Sequence, residues 1–398
     1  MARFSVRFLG CKVSHTDAQA LRERLLADGH AEVTDAGDVA VVNTCCVTNE
    51  ALAKSRQAAA RAARSHGRVY VTGCGAQLSE TAFDGLPPNV TVVRGRLEQT
   101  VETVAGDVGA IACVQAEARL DRVRAFVKIQ DGCSFSCNFC VIPLVRGATR
   151  SRSAAAVLAE VARRAAQGHR EIVLTGVNLG CFRDRAAGYT VARLVREAGA
   201  VPGVERLRLS SIEINHVDDD LVSALRETPT VGPHLHVPLQ SGDDAVLRAM
   251  GRRYSVGRYL AKLDGLRDFN LTADVIVGFP AEDDAAFERT LAAVQAAGLT
   301  KVHVFPYSPR PGTATAAADT VAPEVKKERS ARLRALSDAG CRARWSTKVG
   351  QEDLVLVDRP GRGYGADYSP WLVDAPVGQL VKVRGRDVTD EGILADAA

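Results

Sequence analysis

The sequence predicts an α/β protein of three segments. An amino-terminal parallel α/β domain comes first, then a central partial (β/α)6 barrel, then a small carboxy-terminal all-β barrel. Three observations lead there. Strand and helix patterns alternate through the first hundred residues and again over 125–305, as parallel sheets covered by helices require. After residue 349 the pattern changes to short β-like segments separated by Gly, Pro and Asp, the mark of a small closed β module. Cysteines repeatedly follow predicted strands, where α/β sheets place their ligands. A chain of 398 residues is long for one domain, and we divide it at 1–120, 121–345 and 346–398, with the first boundary near Asp121.

In the first segment, 3–9, 39–42, 68–72 and 89–93 read as strands, and 17–27 and 50–65 as helices. The first three strands each run into a cysteine: Gly10-Cys11, Asn43-Thr-Cys45 and Gly73-Cys74. Parallel packing would bring those thiols to one edge of the sheet, although buried cysteines also occur as small apolar residues. Residues 97–124 read as a helix and a variable connection. In the central segment, strands at 125–130, 171–175, 206–210, 234–239, 272–277 and 301–305 alternate with helices at 154–167, 190–198, 218–226, 243–250, 256–268 and 283–296. Functional groups belong at the carboxyl ends of such strands. A basic helix over 323–345 follows, carrying Lys326, Lys327, Arg329, Arg332, Arg334, Arg342 and Arg344. The last segment offers β stretches at 353–357, 372–373 and 379–384.

Composition narrows the class. Hydrophobic residues at 46% and charged residues at 25% suit a soluble globular protein. No signal-peptide layout and no membrane-spanning apolar run is evident, so a cytoplasmic protein without a membrane partner is expected. There, ten cysteines point to metal or redox chemistry rather than disulfides. The net charge of +4 is small, so any nucleic-acid contact must rest on local patches.

The first barrel strand gives way to Cys133-Ser-Phe-Ser-Cys137-Asn-Phe-Cys140. Clustered thiolates suit a thiophilic metal centre. A closed zinc site needs a fourth ligand, and no Cys or His pair follows closely. A [4Fe–4S] cluster on three protein thiolates keeps one iron open. The spacing C-x3-C-x2-C, after a strand and ahead of βα units, resembles the radical S-adenosylmethionine (SAM) superfamily; a zinc knuckle is the competing reading. The segments Phe-Leu-Gly-Cys11-Lys-Val-Ser-His, Asn43-Thr-Cys45-Cys-Val-Thr48 and Val71-Thr-Gly-Cys74-Gly-Ala-Gln77 are similar to the amino-terminal domain of that superfamily's methylthiotransferases.

The resemblance implies a Rossmann-like first domain holding an auxiliary [4Fe–4S] cluster on Cys11, Cys45 and Cys74. It implies a second cluster, with SAM, on Cys133, Cys137 and Cys140. Ser14 and Ile214 stand where many relatives carry Asn and Pro, and Cys46 adds a thiol beside the ligand position Cys45 that would point the other way if the strand continued. The run Arg146-Gly-Ala-Thr-Arg150-Ser-Arg152 resembles a family motif, and arginine forks suit carboxylates and phosphates. Arg146 is expected near SAM or substrate as part of the catalytic set, with Arg150 and Arg152 bracing the loop or binding anionic substrate. Gly176, Asn178, Ser211, Glu213 and Gln240, at strand ends, are implied for SAM. Phe139, with Phe135, would shield the cluster or stack near the adenine. His234 and His236 share one strand face and read as structural. Cys113, Cys181 and Cys341 read as small hydrophobes.

The terminal module resembles the TRAM domain, an OB-like RNA-binding fold, through Gly363-Tyr364-Gly-Ala-Asp-Tyr368-Ser369, with Lys382 and Arg384 for RNA. Two clusters imply methylthio transfer, in which one SAM donates the methyl group and another yields the hydrogen-abstracting radical. The cysteine tracts look most like the subgroup acting on N6-threonylcarbamoyladenosine beside the anticodon of tRNA. Isopentenyladenosine in tRNA and an aspartate of a ribosomal protein are the alternative substrates. A non-catalytic zinc-containing RNA-binding protein is the rival class. The family further implies a flavodoxin or ferredoxin electron donor, the anticodon stem-loop of tRNA as partner, and a monomer.

Overall fold

In the computed structural model, which describes residues 1–109 and 123–397, the chain begins with β1 (Arg3–Phe8), α1 (Lys12–Ala27), β2 (Ala31–Glu32) and β3 (Gly37–Thr44). Next come α2 (Asn49–Ala62), β4 (His66–Gly73), α3 (Cys74–Leu78), β5 (Val90–Val92) and α4 (Leu97–Val108). The predicted boundary near Asp121 and Cys113 lie outside the described residues. The strands form one parallel sheet in the order β2-β1-β3-β4-β5. Alternate residues of its central strands enter opposite cores. Val39, Val41 and Tyr70 pack with Phe4, Leu21 and Leu25, whereas Val42, Val69 and Val71 pack with Ala58 and Ala59. Burial on both faces is what makes these strands read as continuous apolar runs. Helix α1 begins five residues before the predicted 17–27, because its polar first turn (Ser14, His15, Asp17) is buried by tertiary contacts that periodicity does not register.

By compactness the described chain forms two units. One comprises Met1–Leu120 with Asp131–Thr149, which carries α5 (Ile142–Arg146), and Ser308–Ala317. The other comprises Asp121–Gln130, Arg150–Tyr307 and Ala318–Ala398. This division differs from the predicted split into three domains: the cysteine loop groups with the first sheet, and the terminal module groups with the barrel.

The second unit contains β6 (Arg124–Asp131, whose last residue counts with the first unit), β7 (Arg150–Ser151), α6 (Ala154–Ala166), β8 (Glu171–Gly176), β9 (Arg183–Asp184) and β10 (Tyr189–Thr190). It continues with α7 (Val191–Gly199), β11 (Arg206–Leu209), α8 (Asp219–Glu227), β12 (His234–His236), α9 (Asp244–Ala249) and α10 (Val256–Asp264). Then come β13 (Asn270–Val277), α11 (Asp284–Ala296), β14 (Lys301–Pro306) and α12 (Pro323–Ser346). Parallel ladders run β6-β8-β11 and β12-β13-β14, joined by the bridges Leu207↔Val231 and Ser211↔His236. These six strands are the predicted partial barrel. Six of its helices start on side-chain caps: Ser153, Thr190, Asp218, Asp243, Ser255 and Asp283 each accept from the backbone N–H three residues on. Strand β12 stops at His236, short of the predicted 239, because Pro238 has no N–H to donate and Gln240 is left-handed (φ 66°).

Helix α12 holds several of its basic residues in ion pairs. Arg329 donates to Glu282 and Asp284 at 2.7 Å, Arg344 pairs with Asp367 at 2.9 Å, and Lys326 bonds Asp319. Those positive charges are already matched, so they add little to an RNA-binding face. Among the described residues no helix is long and apolar enough to cross a membrane.

The terminal module closes β15 (Glu352–Arg359), β16 (Arg362–Tyr364), β17 (Pro370–Leu372), β18 (Leu380–Val388) and β19 (Ile393–Ala397) around Trp371, Val355, Val357 and Ile393. Its Tyr364–Ser369 loop is a docking loop. Glu171, buried at the start of β8, anchors Arg206 at 3.2 Å and Arg208 at 3.0 Å. These guanidiniums donate onward to backbone carbonyls: Arg206 to Leu354, Tyr364 and Gly365, Arg208 to Gly365 and Ala366. Arg124 donates to Tyr368 Oη at 2.7 Å and pairs with Asp358.

Candidate cluster and cofactor site

Three adjacent strands deliver the first thiol set. Cys11 is the N-cap of α1, Cys45 follows β3, and Cys74 opens α3 directly after β4. Two glycines make this edge possible. At Gly10 (φ +113°) a Cβ would come within 2.9 Å of Cys45 Cβ, and at Gly73 (φ +86°) within 1.9 Å of Asn43 Oδ1. Asn43 itself donates from Nδ2 to the Ser14 carbonyl at 2.8 Å, tying β3 to the first turn of α1. Burial pushes the Cys45 thiol up, and charge on Cys11 adds to it. Burial likewise pushes Cys74 up to about 12, against the pull of Arg146. Thiols in such a setting stay protonated until a metal takes the proton's place. A soft three-sulfur donor set of this kind fits an iron–sulfur cluster.

The second set lies in the same compact unit. Gly132 (φ +68°) starts the loop where a Cβ would clash with the Ala148 carbonyl at 2.2 Å. The Cys133 N–H donates to the Gly147 carbonyl at 3.0 Å, and Ser134 and Thr149 exchange backbone-to-hydroxyl bonds at 3.1 Å. The Phe135 N–H points at Cys133 Sγ at 3.4 Å, and Cys140 N–H donates to the Cys137 carbonyl. Thr315 Oγ1 clamps the Asn138 carbonyl at 3.0 Å. Cys133, Cys137, Phe139 and Cys140 are all half-buried, open on one side. Three accessible thiols with backbone N–H groups around them fit a second cluster.

Arg146 ties the end of β6, which leads into the second set, to the first set. Its Nε donates to Cys74 Sγ at 3.0 Å, and its terminal nitrogens pair with Asp131 at 3.0 Å and Asp17 at 2.8 Å. The partners Arg146 takes from the protein itself are thus two carboxylates and a thiol. The cause is local: α5 packs on α3 through Val141, Val145, Cys46 and Cys74, which turns the last residue of α5 onto the sheet edge. Cys46, fully buried, belongs to that apolar contact, and its carbonyl accepts from Arg310 at 3.2 Å.

In the barrel unit, the predicted SAM positions lie at or just beyond the ends of β8, β11 and β12. Gly176 leaves room for Gln130, whose Oε1 sits 3.0 Å from where a Cβ would be and accepts the Asn178 N–H at 2.8 Å. Gln130 gives no signal in the sequence, hidden as it is inside an apolar run. Asn178 Oδ1, Thr175 Oγ1 and Ser210 Oγ are buried at these strand ends with no hydrogen-bond partner among the described residues. Such orphans are costly unless a ligand meets them, which fits a polar cofactor there. Glu213 is more committed, accepting from Asn215 at 2.9 and 3.0 Å and from Arg252 at 3.4 Å. Ser211 bridges to His236, and left-handed Gln240 holds backbone strain of the kind that collects at functional sites.

Comparison with known proteins agrees with this layout. The radical SAM superfamily matches residues 127–294, and an uncharacterized protein family, UPF0004, matches residues 3–95. The threonylcarbamoyladenosine tRNA methylthiotransferase MtaB of Thermotoga maritima is 33% identical over 99% of this chain and 97% of its own. Those of Chlamydia pneumoniae (32%, 99% and 97%) and Bacillus subtilis (36%, 85% and 81%) are similarly close. The chain belongs to the radical SAM threonylcarbamoyladenosine tRNA methylthiotransferases. Its fold is shared by the radical SAM methyltransferase TsrM from Kitasatospora setae, at a TM-score of 0.57 and 15% identity over 79% of this chain and 77% of that one.

The other predicted residues of this methylthiotransferase lie as follows. Arg152 donates to the Lys128 carbonyl at 2.8 Å and pairs with Glu160, bracing β6 against α6. Lys382 and Arg384 share Glu352 on the surface. Arg150 is half-buried in β7. Cys181, read as a plain hydrophobe, meets His216 Nε2 at 3.4 Å instead, because both residues lie in short 3-10 turns that follow neighbouring strands β8 and β11. Cys341 donates to the Thr300 carbonyl at 3.1 Å.

Proposed function

We propose that this chain adds a methylthio group to C2 of N6-threonylcarbamoyladenosine at position 37 of tRNA. One observation carries the reading: two three-cysteine sets share one compact unit, in a chain matching threonylcarbamoyladenosine methylthiotransferases along nearly its whole length. On this reading Cys133, Cys137 and Cys140 hold the cluster that binds SAM, and Cys11, Cys45 and Cys74 hold the auxiliary one. When bound, the clusters and SAM supply the electron, the radical and the methylated sulfur. The protein's own role is positional. Arg146 offsets the negative charge that three thiolates and two carboxylates would gather at the auxiliary site, and its N–H fixes the Cys74 sulfur. Asn178, with Gly176, Ser211, Glu213 and Gln240, is proposed to orient SAM, and Phe139 to exclude water. Arg150 is proposed for the threonyl carboxylate, and Lys382 and Arg384 for the RNA backbone. The three functional modules stay at 1–120, 121–345 and 346–398. A cytoplasmic monomer fed by a flavodoxin or ferredoxin completes the proposal.

Mass spectrometry of tRNA nucleosides from a deletion strain tests it. The 2-methylthio form of threonylcarbamoyladenosine should vanish. Its persistence in a strain without a redundant enzyme would overturn the substrate, and loss of methylthio-isopentenyladenosine would move the chain to the other tRNA subgroup. Anaerobic reconstitution should yield about eight irons per chain; stoichiometric zinc on the cysteines would overturn the enzyme itself.

A further inference from the structure

Three parallel strands of the barrel unit bring together a group that neither thiol set uses. His236 on β12, Asp274 on β13 and His303 on β14 offer nitrogen and carboxylate atoms that all lie within 4.8 Å of one another. Register puts them there. His236 pairs with Thr272, Asp274 pairs with His303, and Thr272 and Asp274 are two residues apart on one strand face. The spacing of His236 and His234 on β12 reads as structural because the other two ligands are 38 and 67 positions further along the chain.

We propose that His236, Asp274 and His303 form a binding site for a divalent transition-metal ion of the zinc class, separate from the six cluster cysteines. Two imidazoles and a carboxylate are the donor set that borderline metals of this kind accept. His236 Nε2 lies 3.3 Å from Asp274 Oδ1. That equals, to roughly 0.1 Å, the edge of a tetrahedron with the 2.0–2.1 Å bonds zinc makes. Behind it, His236 Nδ1 meets Thr272 Oγ1 at 2.9 Å, the type of bond that fixes which ring nitrogen faces a metal. The His303 ring joins the group through its contact with the His236 ring, centroids 5.5 Å apart. His303 stands on β14, where Lys301, His303 and Phe305 are exposed and Val302 between them is buried, so an ion can reach the site from water. His234, by contrast, meets the other side of the Thr272 hydroxyl and packs on the Tyr368 ring, and stays structural.

The test uses the anaerobically reconstituted holoenzyme with both clusters in place. The protein is equilibrated with zinc and passed through zinc-free buffer. Zinc, iron and sulfide are then counted, and zinc-edge X-ray absorption reports the ligands. The expectation is one zinc per chain above an unchanged iron content, with a nitrogen and oxygen shell at about 2.0–2.1 Å. His303→Ala, at an exposed position, and Asp274→Asn should each abolish it without loss of iron. Thr272→Val should weaken it about 10–100-fold. No zinc on the wild type, a sulfur shell near about 2.3 Å, or zinc retained by His303→Ala would each overturn the site.

Discussion

Two buried arginine settings divide the labour in this molecule. At the thiol centre a single guanidinium, Arg146, meets two carboxylates and Cys74, an anionic surplus. Under the terminal module two carboxylates, Glu171 and Asp358, meet three guanidiniums, Arg124, Arg206 and Arg208, a cationic surplus. The chemistry each can do follows from that balance. Surplus negative charge is what a cluster of iron ions can offset, so Arg146 trims a site built for metal. Surplus guanidinium donors have nowhere to go but oxygen, so the second group directs them to carbonyls of the docking loop and to Tyr368. One residue type, buried in both places, is electrostatic tuning in the first and adhesive in the second.

Substitutions should separate the two. The largest effect is expected from Cys45→Ala, which should remove about half the iron and all methylthio transfer while leaving the terminal module docked; full iron content by chemical assay would break the contrast. Next, Glu171→Gln should leave Arg206 and Arg208 buried without their carboxylate partner and cost about 3–5 kcal/mol in denaturant unfolding. Its iron content should be unchanged. Loss of iron at equal stability would place Glu171 on the metal side.

Arg146→Lys keeps the charge but not the three-way fork. A drop in turnover of about 10–100-fold at normal iron content is expected, with Arg146→Ala lowering the auxiliary cluster's potential by removing a positive charge. An unmoved potential in a redox titration followed by EPR would sink the tuning role. The smallest effect belongs to Asp367 in the docking loop. Burial alone would raise its pKa, but Lys348 and Arg344 hold it at about 2. A folded value below the ordinary 3.8 adds stability that is complete above pH 4 and is lost as pH falls towards 2. Asp367→Asn in the cluster-free chain should therefore be less stable by about 2 kcal/mol at pH 7, and the gap should close by pH 2. A gap that persists at low pH would mean that packing, not charge, holds the loop.

Much of the layout is legible in the sequence because it is local. Periodicity places the six barrel strands and their helices to within a few residues, and Gly-Cys pairs mark the strand ends at Cys11 and Cys74. What stays hidden is informative for the same reason. Helices α3 and α5 are five residues each, too short for a periodic signal, yet their contact aims Arg146. Gln130 sits in an apolar run and reads as core. Strands β16 and β19 are defined by pairing across a closed barrel rather than by alternation.

The sequence by itself determined the chemistry on offer. Three thiols in eight residues, three more after strand ends, and arginines beside them are covalent facts that hold before folding. Tertiary structure alone decided how those groups are used. It gave Arg146 two carboxylates and Cys74 as partners, and it set the Tyr364–Ser369 loop against the barrel's arginines. It also gathered His236, Asp274 and His303 from three strands into one group. The physical reason is that a pattern records which face a residue takes, whereas charge and hydrogen-bond partners come from register and packing between segments far apart in the chain.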